Sequence, residues 1–289
     1  MSKKRPLCFN HLISLPVKHG VKHQLYDYER KIYDELMKPA PTNTDDIITR
    51  QQHKHLAIIK ATGLGISEFT LRWIAWMCLR NNDMRGKRVV VITGNNIALA
   101  TDLIRRLKGL FLNPDANYPL VFESKETVLE LNGCTIQAFP SHHLSAARGL
   151  TDVSIVLLDE ASFFEINQSE EARDVAERYI AKSNPYILAI STPNHPGDFL
   201  HKITEQAEQD CIYKRMFLDY TVGVGNIFTE KEIEIAKRSS SFEREYNLKF
   251  SGIEGNVFLD YKIDEAIQLG KELDAYNQVL KRPELIPLN

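Results

Sequence analysis

Four groups of residues have the types needed to handle phosphate and a metal ion. The first lies in "IIKATGLGISEF", Ile58 to Phe69. Two β-branched apolar residues lead into a turn containing Gly63 and Gly65, then the hydroxyl of Ser67 and a helix-like continuation. Backbone N–H groups at a glycine turn that opens a helix bind phosphate whatever the side chains are. A serine hydroxyl at that place can meet Mg2+. The common phosphate loop reads G-x-x-x-x-G-K-[ST]. Aligned on Gly65 and Ser67, the lysine slot holds Ile66 and the first-glycine slot holds Lys60. The usual positive charge beside the outer phosphates is then missing, and Lys60, at the start of the loop, is close enough to reach back across it on its flexible stem. Read alone, the stretch is also what an ordinary strand-turn-helix looks like.

The second group is Asp159-Glu160, at the end of the apolar run "SIVLLDE". Carboxylates closing a buried strand are costly unless they have a cation or a task. In a phosphate-loop ATPase the first acid holds the Mg2+ shell and the second acts on the attacking water. Ser191, Thr192 and Asn194 follow another apolar run, "PYILAIS". They can sense a terminal phosphate, or form an Asx/Ser turn punctuated by Pro193. Arg148, in "SAARGLTDV" before the acidic strand, has the chemistry of an arginine finger supplied in cis or by a neighbouring subunit; it could equally be a surface arginine.

These groups need a scaffold, and the hydrophobic pattern describes one. "HLAIIKA", "KRVVVITG", "SIVLLDE" and "PYILAISTPN" are short apolar strands. "SEFTLRWIAWMCLRN" and "NIALATDLIRRLKGLF" are helices, the first with Leu71, Ile74, Ala75, Cys78 and Leu79 as its core stripe. "TVLELNGCTIQAF" is a strand pair turned at Asn132-Gly133. An amphipathic helix spans 24–38, and further helices are expected near Asp198–Gln209, Thr229–Arg238 and in "DEAIQLGKELDAYNQVL". Apolar strands alternating with helices mean a mainly parallel sheet covered on both faces, a three-layer α/β fold of the P-loop NTPase type. Ligands of such sheets sit at the carboxyl ends of the strands, and all four groups fall at strand ends. The expected organisation is an N-terminal segment (1–50), a core (51–217) and a helical linker and tail (218–289).

The 289 residues are ample for a buried core. With 43% hydrophobic and 26% charged residues the chain is an ordinary globular protein. A net charge of −2 advertises no nucleic acid, so such a contact must use local patches. Cys8, Cys78, Cys134 and Cys211 are widely spaced, which disfavours zinc and fits a reducing compartment. The histidines in "HKH" (His53 to His55) and "HH" (His142, His143) lack partners at metal-ligand spacing and read as surface or loop residues. No apolar run approaches the ~20 residues of a membrane span, and a cytoplasmic location is expected.

Taken together and in order, these pieces resemble the ATPase domain of the large terminase subunit of tailed viruses, the motor that packages DNA. "LYDYERKIY", "KATGLGIS", "GKRVVVITGNNIALA", "LELNGCTIQAFPS", "AARGL", "VLLDEASFF", "ISTPNHPGDFLHKI" and "IFTEKEIEIAKRSSSFEREYNLKFSGIEGNVF" carry the likeness, from about Leu25 to Phe258. The resemblance implies ATP and Mg2+ as cofactors, with a phosphate loop of Lys60, Ala61, Thr62, Gly63, Leu64, Gly65, Ile66 and Ser67. It implies Tyr28 and Glu29 on the base side, Mg2+ on Ser67 and Asp159, and Glu160 as catalytic base. Arg148 would be the finger, and Ser191, Thr192 and Asn194 the coupling motif. Implied partners are double-stranded DNA, a portal, a small terminase subunit and further copies of the chain in a ring, in the host cytoplasm if the source is viral.

Two departures stand out. Glu29 occupies the place of an adenine-reading glutamine, and an ionised carboxylate accepts but cannot donate. The family's nuclease, a cluster of acids for two metals, has no counterpart; Asp260, Asp264 and Glu265 read as helix-start acids, so no nuclease activity is expected. The alternatives are a nucleotide- or DNA-binding assembly protein that does not hydrolyse, and a helicase-like ATPase.

Overall fold

Period-2 alternation along each central strand sends side chains to both faces of one sheet. In the computed structural model, which describes residues 25–41, 46–80, 82–111, 126–250 and 267–273, β1 (His55–Lys60), β2 (Arg88–Thr93), β5 (Val153–Asp159) and β6 (Tyr186–Ser191) form the middle of a seven-stranded sheet. Its order is β3-β4-β2-β5-β6-β1-β7, with β3 (Val128–Leu131), β4 (Cys134–Pro140) and β7 (Lys214–Leu218) completing it. All pairings are parallel except β3 with β4. That hairpin turns at Asn132 and Gly133, both at positive φ (52° and 75°). The type I′ turn needs this, and Asn-Gly supplies it.

Leu56, Ile58, Val89, Val91, Ile155, Leu157, Leu188 and Ile190 face one core. It is covered by α1 (Asp27–Leu36), α3 (Ile66–Arg80) and α4 (Ile97–Gly109). Ala57, Ile59, Val90, Ile92, Val156, Leu158, Ile187 and Ala189 face the other, covered by α5 (Leu144–Arg148), α6 (Ile166–Glu177) and α7 (Phe199–Glu205). Three layers result, as expected for a P-loop NTPase. Helix α3 is buried from Phe69 through Cys78 on nearly every side, not along one stripe as its spacing predicts. Each such Leu, Ile or Trp contributes roughly 1.5–3 kcal/mol by leaving water.

Several elements were not legible in the sequence: α2 (Ile47–Gln52), α5, α6 and β7. The expected helix near Asp198 ends at Glu205, and the one near Thr229 is α8 (Glu230–Ala236), followed by α9 (Phe242–Glu245). Residues Met1–Ser251 form one compact unit and Gly252–Asn289 a second. In the second, 267–273 are helical; Asp260, Asp264, Glu265 and the last residues lie outside the described residues, as does Cys8. Among the described residues no helix is long and apolar enough to cross a membrane.

His55 corrects the sequence reading. It opens β1 with no exposed surface and packs against Tyr213, ring centroids 5.7 Å apart and planes tilted by 42°. Burial, with Lys54 adding to it, pushes its pKa down to about 4. Its neutral ring is therefore part of the native state. A depressed folded-state pKa contributes stability that is whole above about pH 6.5 and is lost as pH falls through about 4, in all about 3 kcal/mol. His55→Phe, which keeps the ring against Tyr213, is expected to flatten the acid limb of the denaturation midpoint between those pH values. An unchanged limb would assign the acid sensitivity elsewhere.

Candidate active site

The strand order places one strand, β6, between β1 and β5. At ~4.8 Å per strand, the ends of β1 and β5 stand about 10 Å apart, a gap one lysine stem and one carboxylate can close. They do close it. Lys60 Nζ donates to Glu160 Oε1 at 2.8 Å and to Thr192 Oγ1 at 3.2 Å. Ser191 Oγ lies 3.2 Å from Glu160 Oε2 and 2.8 Å from the Thr192 carbonyl. Ser67 Oγ donates to Asp159 Oδ1 at 2.7 Å. Asn194 Nδ2 donates to the Ser162 carbonyl at 3.2 Å, tying the loop after β6 to the turn after β5. Lys60, Ser67, Asp159, Glu160, Ser191, Thr192 and Asn194, dispersed in the chain, thus meet at the carboxyl end of the sheet.

Glu160 sits at φ 54°, ψ 45°. A left-handed residue that is neither glycine nor Asn/Asp is strained by about 1–3 kcal/mol, and such outliers cluster at functional sites. It turns the chain into the short helix Ala161–Phe163 as soon as Asp159 leaves the strand. Asp159 is buried, and its carboxyl is pushed up to about 6, first by burial and then by Glu160. The Ser67 hydroxyl, Lys60 and Arg106 oppose this. A desolvated carboxylate beside a hydroxyl is a pair of hard oxygen donors. That suits Mg2+, which takes one or two protein oxygens and fills its shell with phosphate and water.

The loop is held from outside at each residue between Lys60 and Gly65. Ala61 N donates to the Leu218 carbonyl at 2.7 Å, and Thr62 N to the Glu245 carbonyl at 2.8 Å. Gly63 and Gly65 take φ of 77° and 75°. The Phe228 ring lies so near Gly63 that a Cβ there would meet it at 3.2 Å. Leu64 is buried, and its carbonyl accepts from Tyr28 Oη at 2.8 Å. Ile66, in the usual lysine slot, is 1% exposed and packs in the core, which leaves Lys60 as the loop's cation.

Two further arginines flank the loop and were missed. Glu68 Oε1 accepts from Arg72 Nε at 2.8 Å and Glu68 Oε2 from Arg106 Nη2 at 2.9 Å. Burial opposes ionisation, but Arg72 and Arg106 hold the Glu68 carboxyl below the usual range. The first pair has i,i+4 spacing and is visible on a helix. The second joins α3 to α4, and no spacing announces it.

Three further residues with implied roles have other partners. Arg148 is exposed at the end of α5, with Nη2 3.3 Å from Glu171 Oε1. Tyr28 and Glu29 are buried in α1, and Glu29 Oε2 accepts from the Tyr26 backbone N–H at 2.9 Å as part of the helix cap.

A glycine-turned loop opening a buried helix, an acid-ended strand, and one strand inserted between them define a P-loop NTPase fold. Among solved structures, the chain is similar to the large terminase of bacteriophage HK97 (TM-score 0.62, 15% identity, 83% of this chain and 54% of that one). It is also similar to the large terminase of a thermophilic bacteriophage (0.55, 12%, 76% and 52%) and to the large terminase ATPase domain of a Thermus phage (0.51, 14%, 76% and 97%). The chain spans about half the length of the first two. The second of these terminases has also been solved with ADP and with ATP-γ-S. No protein-family model and no curated protein sequence matches the chain. The likeness is therefore one of fold: that of the terminase ATPase domain.

Proposed function

We propose that this chain is an ATP-hydrolysing motor domain that moves double-stranded DNA into a viral capsid. In this reading it works in a ring of its own copies with a portal and a small terminase subunit, in the host cytoplasm. The observation that carries the reading is the meeting of Lys60 with Glu160 and Thr192 beside Ser67 and Asp159. It favours hydrolysis over a binding-only role, because each hydrolytic group has the neighbour it needs.

The backbone of the loop from Gly63 to Ser67 cradles the phosphates, and Lys60 neutralises the outer ones from the front of the loop. Ser67 and Asp159 hold Mg2+, which when bound supplies charge neutralisation at the phosphate oxygens. Glu160 orients the attacking water and accepts its proton. Ser191 and Thr192, which touch Glu160 and Lys60, register the change in partner when the terminal phosphate leaves. Arg148, exposed and paired with Glu171, acts on a neighbouring copy's site.

The test is ATP turnover with and without duplex DNA, in wild type and Arg148→Ala. Duplex DNA is expected to raise wild-type turnover. Arg148→Ala is expected to leave nucleotide affinity and stability unchanged, since an exposed ion pair contributes under ~1 kcal/mol. It should lower turnover of the assembled chain on the order of 10³-fold. Absence of turnover with DNA and assembled chain would refute the motor reading. Wild-type rates in Arg148→Ala would remove that residue from it.

A further inference from the structure

Helix α1 carries Tyr28 and Glu29, which the family likeness assigns to the base of the nucleotide. The Tyr28 hydroxyl and one carboxylate oxygen of Glu29 are engaged within the protein. Glu29 is fully buried and its carboxylate turns back to the Tyr26 backbone N–H at 2.9 Å. Tyr28 is 2% exposed, and its hydroxyl is spent on the Leu64 carbonyl at 2.8 Å. The Tyr26 ring stacks on the Tyr28 ring, centroids 5.7 Å apart and planes 12° from parallel. Ile32 and Leu36, further along the same helix, anchor it in the core.

The acceptor is the informative atom. Leu64 stands between the two glycines whose positive φ gives the loop its shape. The peptide carbonyl there is fixed in direction only if something holds it, because glycine neighbours leave both flanking peptides free to rotate. A buried carbonyl deprived of its donor also reorganises to find another. A phenol reaching from a rigid helix meets both needs. It orients the Leu64–Gly65 peptide, and with it the Gly65 N–H, one of the donors the loop offers.

We propose that Tyr28 is a positioning residue that sets the shape of the phosphate loop through the Leu64 carbonyl, and that the site selects nucleoside triphosphates by their phosphates with little regard to the base. This rests on the reading of the loop as a phosphate site. Calorimetry of wild type and Tyr28→Phe with ATP, GTP and inorganic tripolyphosphate tests it, with melting temperatures alongside. Wild type is expected to bind ATP and GTP within about threefold of each other. Tyr28→Phe, which keeps the ring and removes one hydrogen bond, is expected to weaken all three ligands by one common factor, about three- to tenfold.

A loss for ATP and GTP with tripolyphosphate unchanged would mean that Tyr28 reads the base, and the proposal fails. A lowered melting temperature with all three affinities intact would make the residue merely structural, and the proposal fails again. A wild-type preference for ATP over GTP of tenfold or more overturns the base-indifferent part. If wild type binds none of the three, the phosphate reading itself is wrong. That outcome differs from the others because it appears before any substitution is made.

Discussion

Glu160→Gln is expected to stop turnover and tighten nucleotide binding in the same protein. The amide keeps the shape of the carboxylate but cannot accept a proton from water, which places the loss of rate at about 10²–10⁴-fold. The gain in affinity follows from where the carboxylate sits. Glu160 holds Lys60 Nζ at 2.8 Å, so an incoming triphosphate must compete with it for the same ammonium. It must also approach an anion. Neutralising Glu160 removes the competitor and the repulsion together. Its side chain is 41% exposed, so solvent screens much of the effect, and a tightening of about three- to tenfold is expected, not a hundredfold. Isothermal titration with ATP, followed by single-turnover hydrolysis on the same preparation, measures both. Loss of rate with unchanged affinity would show that Lys60 and Glu160 do not compete, and the pair would then be a structural ion bridge.

Much of this site could be read from the chain before the fold was known. Asp159-Glu160 announces itself because charge at the end of four apolar residues is energetically conspicuous. Asn132-Gly133 specifies its turn because few dipeptides take two positive φ values. Lys60 is found once the loop is aligned on Gly65 and Ser67. What escaped has physical reasons too. The strand β7 reads "KRMFL", and as an edge strand half open to water it lacks the apolar continuity of its neighbours. Helix α6, "INQSEEARDVAE", is mostly polar; its packing rests on Ala172, Val175 and Ala176, small residues with weak periodic signal. His55 reads as a surface histidine because "HKH" is polar, yet β1 begins one residue before its apolar run. The Glu245 carbonyl that holds Thr62 is a backbone atom, and no side chain marks it. The directions of Tyr28 and Glu29 depend on which face of α1 the loop presses, which is a property of tertiary packing alone.

Lys60→Ala is expected to remove nucleotide binding, with affinity falling about 100-fold or more, equivalent to about 3 kcal/mol. The loop itself offers no substitute cation, because Ile66 is turned into the core and the nearby Arg72 and Arg106 are held by Glu68. The same change has a cost in stability that must be told apart from the loss of binding. Lys60 is nearly buried and neutralises two adjacent carboxylates, one of them already pushed up to about 6. Stranding a buried charge destabilises by about 3–5 kcal/mol. Here Glu160 is partly exposed and can take up water, so roughly 1–2 kcal/mol is the better expectation. The double variant Lys60→Ala with Glu160→Gln separates the two effects. It removes the repulsion between Asp159 and its neighbour, so much of the stability should return. It restores no cation, so ATP affinity should stay low. Unchanged ATP affinity in Lys60→Ala would refute a lysine acting from the front of the loop. Recovery of both stability and affinity in the double variant would mean that Lys60 serves Glu160 and not the phosphates.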